Sequence, residues 1–356
     1  MQIPFLNTLF LSHIVLASSP LTETAERIRQ GELHGAGGAI LKSCCSYTRK
    51  KDFSSRKVMF SPDGSHYYAA SSFDREILTA EEGLTLYQEA SRICSIPIIP
   101  SITALTLNPQ DWLPLCLAFQ KAGAFILQLD FFYLGTYLEQ PDFAQRIFQL
   151  LDVLMHSLSC QIMPKVNIDL PADFIFRLMK KAGVRGVSLL DSVRVPATNI
   201  TDSSTPSDLS TSYFGTWQLP LSLHYAYLAN QYGLEICGGG GISDQASIAQ
   251  MLSCGATLIQ VASTVLLHGY NILDELSHIT KENITSAPVP APANYQIHKD
   301  KCTRCLICTN SSVWCDALST NPDGTPFIRK ELCENCGWCA ARCPAKAISP
   351  SPDSSI

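Results

Sequence analysis

Glu235-Ile-Cys-Gly-Gly-Gly-Gly-Ile242-Ser-Asp244 is the stretch that decides the fold, and one helix later Leu258-Ile-Gln-Val-Ala-Ser-Thr264 answers it. In each, a short apolar run of strand type stops abruptly, the first in four glycines and the second in Ala262-Ser263. Glycine has no Cβ, so the backbone amides of such a turn stay open to a ligand, and a helix starting just beyond adds unpaired N–H groups of its own. Two adjacent strand-turn-helix units of this kind aim their amides at one spot, an arrangement that suits a phosphate.

The same rhythm extends back along the chain to about Asn7. Short β-rich apolar runs alternate with longer amphipathic ones, the pattern of βα units around a parallel sheet. The expected strands are His13 to Ala17, Gly38 to Lys42, Ile96 to Ser101, Ala124 to Asp130, Gln161 to Val166, Gly186 to Leu190, Leu234 to Cys237 and Thr257 to Val261. Expected helices include Ala80 to Ile93, Pro109 to Lys121 with proline in its first turn, and Asp142 to Leu158. Lys121-Ala-Gly123, Lys181-Ala-Gly183 and Ser253-Cys-Gly255 carry the glycine stop of a helix about to re-enter a strand. Eight such units close most naturally into an α/β TIM (β/α)8 barrel, with an open doubly wound sheet as the alternative. Two connections are too long to be turns, Ser43 to Thr79 and Val193 to Leu219, and both follow strand C-termini, so at least one is expected to act as a lid.

The stretch Ala287-Pro-Val-Pro-Ala-Pro-Ala293 reads as an extended linker. It divides the chain into a barrel over residues 1–280, a Pro/Ala linker over 281–294 and a C-terminal α+β ferredoxin-like domain over 295–356. Eight of the fifteen cysteines fall in that last part, as Cys302-x2-Cys305-x2-Cys308, Cys315, and Cys333-x2-Cys336-x2-Cys339-x3-Cys343-Pro344. A tight triplet wraps three irons of a cubane and takes its fourth ligand from the other motif. Cys302, Cys305, Cys308 and Cys343 are therefore expected to hold one 4Fe-4S cluster, and Cys333, Cys336, Cys339 and Cys315 a second. Six residues separate Cys308 from Cys315 where three are usual, which reads as a loop bulge. Zinc ribbons, the alternative, need paired Cys-x2-Cys knuckles rather than triplets followed by Cys-Pro.

Cysteines crowded this way mean metal and a reducing compartment rather than disulfides. With 46% hydrophobic residues, 16% charged and a net charge of −5, the chain reads as globular, with no basic excess to attract nucleic acid. Met1 to Pro20 is apolar but lacks a basic leader and includes Asn7 and His13, so it reads as the first structural segment. No eighteen-residue apolar run appears elsewhere, and a cytoplasmic protein without membrane contact is expected.

Together with the glycine-rich segment, Ile14-Val-Leu-Ala-Ser-Ser-Pro20, Gly38-Ala-Ile-Leu-Lys42-Ser43 and Met163-Pro-Lys165-Val166 resemble the dihydroorotate dehydrogenase family of FMN barrels. The added two-cluster module is similar to the pyrimidine-reducing part of dihydropyrimidine dehydrogenases. The resemblance implies that Ala17, Ser18 and Ser43 line a flavin and that Lys42 and Lys165 approach its rings. It further implies that Gly239, Gly240, Gly241, Ala262 and Ser263 hold the FMN phosphate. Barrels of this family usually dimerise, so a homodimer is expected.

Where the family carries Asn, Ser and a proton-exchanging Cys or Ser at the end of strand four, this chain has Asp130, Phe132 and Tyr133; where strand six ends in Asn-Thr, it has Asp191-Ser192. An ionised carboxylate only accepts hydrogen bonds, so these changes argue against dihydroorotate or uracil and favour a substrate with N–H donors or positive charge. Asp74 is a third candidate carboxylate. Tyr133 is the expected proton donor, since a phenol suits an acid rather than a base. Cys44 and Cys45 are a lesser source of the missing thiol; the enzyme reading stands if Tyr133 and Asp130 face the flavin and falls if Phe132 plugs the pocket. The expected function is thus an FMN- and iron-sulfur-dependent reductase of an unsaturated small molecule, with Tyr133, Asp130, Asp191 and Lys165 as its catalytic set. The alternative is an electron-transfer or scaffold subunit with an altered barrel; an RNA-dihydrouridine enzyme is disfavoured by the acidic balance. No NAD(P)H-binding domain is evident, so the electron donor is expected to be a separate ferredoxin or flavoprotein.

Overall fold

The computed structural model describes residues 2–46, 57–60, 67–71, 77–137, 140–195, 210–278, 295–309, 315–334 and 336–351. They belong to two compact units, Met1–Thr285 and Ser286–Ile356. The stretch expected as a linker, 281–294, lies outside the described residues, as does Asp74.

The larger unit is a TIM-type α/β barrel. Its strands are Ile14–Leu16, Gly38–Ile40, Ile98–Ile99 continued by Ser101–Thr103, Ile126–Asp130, Gln161–Lys165, Gly186–Ser188, Glu235–Gly239 and Ala256–Val261. Successive strands pair in parallel, and the last pairs back onto the first, which excludes an open sheet. Proline has no N–H to give a ladder, so Pro100 splits the third strand. Its first half pairs with Gly38–Ile40 and its second with Ile126–Asp130. The Pro100 carbonyl still accepts from the Gln128 amide at 2.8 Å, and the ring stays closed.

Local signals account for the helices. Ala80–Ile93 starts in a capping box, with the Thr79 hydroxyl accepting from the Glu82 amide and the Glu82 carboxylate accepting from the Thr79 amide. Pro109–Lys121 is capped by Asn108 and has proline at its first position. Gly123, Gly183 and Gly255 sit at φ of +103°, +82° and +101°, each bonding back into the last helical turn.

Alternation along the strands builds the interior in layers. Val15, Ile40, Ile99, Ile126, Met163, Cys237 and Leu258 point inward and form an apolar cluster with Phe5, Leu6 and Phe10, apart from the larger core beneath the helices. The last three come from an antiparallel hairpin, Ile3–Phe5 with Thr8–Phe10. The segment before the first strand is therefore a plug for the barrel floor, with Phe5 and Phe10 edge-to-face at 6.0 Å. The Glu235 carboxylate pins the hairpin turn, accepting from the Leu6 amide at 2.7 Å while paired with Arg185. Two residues further along the same strands, Lys42, Ser101, Gln128, Lys165 and Gln260 replace the apolar side chains, and all are buried. Above an oily floor lies a polar layer, facing the strand C-termini.

The two long connections meet. Val193–Val195, Ser210–Phe214, Tyr67–Ser71 and Lys57–Phe60 pair in that order as one antiparallel sheet. Strands from both insertions thus share one sheet.

The C-terminal unit is ferredoxin-like. Tyr295–Ile297 pairs antiparallel with Ile348–Pro350, and Leu318–Thr320 with Pro326–Ile328. Trp338–Arg342 forms a short helix. Ala317, Leu318, Ala347 and Ile348 are its buried apolar residues among those described.

Candidate functional site

A cavity of about 260 Å³ opens at the C-terminal ends of the barrel strands. Ala17, Ser18, Lys42, Ser43, Lys165, Gly240, Gly241, Ala262 and Ser263, expected from the sequence to surround a cofactor, all line it. Gly239 does not. It closes the strand Glu235–Gly239, and its carbonyl accepts from the Leu190 amide at 3.1 Å.

Gly240 and Gly241 adopt φ of +85° and +92°, and a Cβ on Gly240 would lie 2.6 Å from the Ser222 hydroxyl and 2.9 Å from the Leu190 carbonyl. Only glycine lets the chain turn here without strain. Among the described residues the amides of Gly240, Gly241, Ala262 and Ser263 donate to no acceptor. Gly240→Ala is expected to cost about 1–3 kcal/mol from its backbone conformation alone. It should also deform the amide cradle, which thermal denaturation and phosphate-ligand affinity would measure together.

Three ionisable groups converge on the floor of the cavity. Lys165 Nζ lies 3.2 Å from Asp191 Oδ2, with both side chains largely buried. Asp130 is 6% exposed; its Oδ2 accepts from the Ser43 hydroxyl at 2.7 Å and its Oδ1 from the Phe132 amide at 3.1 Å. Burial and then the charge of Asp191 push the Asp130 carboxyl above the ordinary carboxylate range, against the pull of Lys165, Ser43 and the Phe132 amide. Burial pulls the Lys165 ammonium down, but Asp191 and Asp130 together outweigh it and leave its pKa raised.

This geometry corrects the expectation of two carboxylates offered to a cationic substrate. Asp191 already faces an ammonium, and both oxygens of Asp130 already accept from the protein, so neither carboxyl stands unpartnered for a cationic substrate. Phe132 borders the cavity without filling it. Tyr133 sits on the 3-10 turn Phe132–Tyr137, and its side chain lies outside the described residues. Cys44 and Cys45 are buried and do not line the cavity, and burial drives the Cys44 thiol strongly upward.

A hydroxyl relay escaped the sequence reading. Gln128 Nε2 donates to Ser101 Oγ at 2.8 Å, and Ser43 Oγ lies 2.9 Å from Ser101 Oγ and 3.2 Å from Ser18 Oγ. On the other side Gln260 Nε2 donates to Ser188 Oγ and to the Leu189 and Cys237 carbonyls. Gln218, 1% exposed, lines the cavity and donates to the Asp191 carbonyl at 2.7 Å. The signal for Gln128 and Gln260 was present: each is a polar residue at an inward position of an apolar strand. Ser212 and Phe214 of the covering sheet also reach the cavity, which no local pattern announced.

In the C-terminal unit the eight cysteines separate into two groups. Cys302, Cys305, Cys308 and Cys343 surround one small cavity; Cys315, Cys333, Cys336 and Cys339 surround another. Burial raises Cys308, and Cys302, Cys305 and Cys343 add to it. Burial likewise pushes Cys339 up to about 11, with Cys333, Cys315 and Cys336 adding to it. Among the described residues no three such side chains close on a single metal ion.

Residues 326–349 match the family model of the 4Fe-4S binding domain. Over 281 residues the chain is 25% identical to the catalytic subunit of dihydroorotate dehydrogenase B (NAD(+)) from Pyrococcus abyssi, covering 75% of this chain and 88% of that protein. The Pyrococcus furiosus protein of the same name is 24% identical over 277 residues, with the same coverage. No helix among the described residues is long and apolar enough to cross a membrane.

Proposed function

We propose that this chain is an FMN- and iron-sulfur-dependent oxidoreductase that reduces a C=C bond in a small molecule, or forms one in reverse, and exchanges electrons with a separate electron-transfer protein. One observation carries the reading: a barrel-mouth cavity with two buried lysines and four amides that find no acceptor among the described residues shares a chain with eight cysteines grouped four and four. The similarity to dihydroorotate dehydrogenase B catalytic subunits supplies the reaction class.

The cavity residues fit FMN. The amides of Gly240, Gly241, Ala262 and Ser263 would take its phosphate, and the cations of Lys42 and Lys165 would lie near its rings, where positive charge favours the reduced, anionic form. Bound there, FMN would supply two-electron chemistry, and two 4Fe-4S clusters would supply one-electron transfer. The first cluster would be held by Cys302, Cys305, Cys308 and Cys343, the second by Cys315, Cys333, Cys336 and Cys339. Phe132 and Phe214 make part of the wall apolar and help exclude water. The positions occupied by Asp130, Tyr133 and Asp191 differ from the resembled family, so the substrate is proposed to be other than dihydroorotate.

The test is an anaerobic preparation of the full chain, loaded with FMN, iron and sulfide, pre-reduced and offered a panel of unsaturated metabolites that includes orotate. Reoxidation by one of them, with a product two hydrogens richer, is the expected result. If electrons pass freely to a dye or a ferredoxin while every unsaturated compound leaves the flavin reduced, the reductase reading is lost and the chain is an electron-transfer subunit.

A further inference from the structure

We propose that Asp130 is the catalytic acid of the barrel site, held in place by the Ser43 hydroxyl. This rests on the reductase reading above and assigns it a proton source.

The argument begins with how the two buried carboxyls divide their partners. Asp191, after the sixth strand, takes the ammonium of Lys165 at 3.2 Å. Asp130, ending the fourth strand, has neutral donors at hydrogen-bond distance, the Ser43 hydroxyl and the Phe132 amide. Two carboxyls whose surroundings differ in this way divide into a charged partner and a proton carrier. Among the described residues, Lys42 and Lys165 are the basic side chains lining the cavity with Asp130, and Asp191 is the other carboxyl there. Burial and Asp191 keep a proton on Asp130 to higher pH than an ordinary aspartate, although Lys165 opposes them.

Position supports the role. Asp130, Ser43 and Ser18 all line the cavity, so a proton on Asp130 borders the space a substrate would enter. The hydroxyl relay has a direction. Ser43 Oγ donates its hydrogen bond to Asp130, so at the 2.9 Å contact Ser101 Oγ, which accepts from Gln128, donates to Ser43. The chain of donors ends on the carboxylate, which is thereby stabilised once its proton has gone. In the step itself, FMN bound in the reduced form would supply a hydride to one alkene carbon. The neighbouring carbon takes the proton: the Asp130 O–H bond breaks, a C–H bond forms, and the carboxylate remains between Ser43 and the Phe132 amide. Water restores the proton after product leaves.

Infrared spectra of the purified full chain across a pH series test the assignment without substrate. A carboxylic-acid C=O band persisting above the ordinary aspartate range is expected. Asp130→Asn should remove it, and Ser43→Ala, which keeps the carboxyl but deletes its donor, should shift it. A wild-type chain without such a band, or a band that Asp130→Asn leaves in place, overturns the proposal. With the acceptor found in the flavin screen, Asp130→Asn should slow reoxidation about 100-fold or more while the flavin spectrum still reports ligand binding. An undiminished rate in Asp130→Asn together with a collapse in Tyr133→Phe would return the acid role to Tyr133. A chain that binds no FMN sinks the functional reading but leaves the infrared result standing, so the two failures are distinguishable.

Discussion

Lys165→Ala is expected to destabilise the barrel by about 3–5 kcal/mol, the usual cost of removing one partner from a buried ion pair. The Lys165 and Asp191 side chains are 8% and 16% exposed, so solvent does little to screen their attraction or to rehydrate what is left behind. Without the ammonium, Asp191 and Asp130 face each other across a dry floor, and the carboxyl of Asp130 rises further. The double variant Lys165→Ala/Asp191→Ala should lose less than the single one, because the stranded charge goes with its partner. The pH dependence follows from the raised lysine pKa. Its stabilisation is present in full below the ordinary lysine value of 10.5 and is lost as pH rises through the folded value. Denaturant unfolding should therefore show a gap between wild type and Lys165→Ala that stays wide near neutrality and closes only at the alkaline extreme. A gap under about 1 kcal/mol near neutrality, the size of a surface pair, would mean that the contact is solvent-screened.

Cys343→Ser and Cys315→Ser are each expected to delete one cluster and spare the other, halving the iron content, with the losses crossed relative to sequence order. Cys343 lies four residues from Cys339 but borders the cavity of Cys302, Cys305 and Cys308; Cys315 follows that triplet but borders the cavity of Cys333, Cys336 and Cys339. Electron paramagnetic resonance on a chain that also carries Cys305→Ser would show which cluster survives. If Cys343→Ser instead removes the cluster of Cys333 to Cys339, the crossed pairing is refuted. The same unit should depend on iron for its fold. Among its described residues the buried apolar ones are few and include two alanines, too little burial to offset the entropy of ordering the chain. Chelation is expected to unfold residues 295–351 to proteolysis while the barrel, with two apolar clusters of its own, stays resistant.

The readable parts of this protein are those governed by short-range rules. Glycine stops at Gly123, Gly183 and Gly255, the Thr79 to Glu82 capping box and the alternation of apolar runs are all settled within a few residues of chain. All eight strands and the helices Ala80–Ile93 and Pro109–Lys121 accordingly form where expected. The cysteine spacing carried equal information, since a tight triplet leaves a cubane's fourth ligand to come from elsewhere.

Tertiary structure decided what depends on who meets whom. The pairing of Ser210–Phe214 with Tyr67–Ser71 joins segments more than a hundred residues apart, and no local signal encodes that partnership. The apolar opening segment became a floor plug because the barrel offered an inward ring of Val15, Ile40, Ile99, Ile126 and Met163 to cover. Asp130 and Asp191 looked alike in the sequence, as two asparagines turned acidic. Strand register sets Asp130 opposite Lys165, yet the ammonium turns to Asp191 beyond the sixth strand and Asp130 takes the Ser43 hydroxyl, and that division of partners makes one carboxyl a counter-ion and leaves the other able to carry a proton.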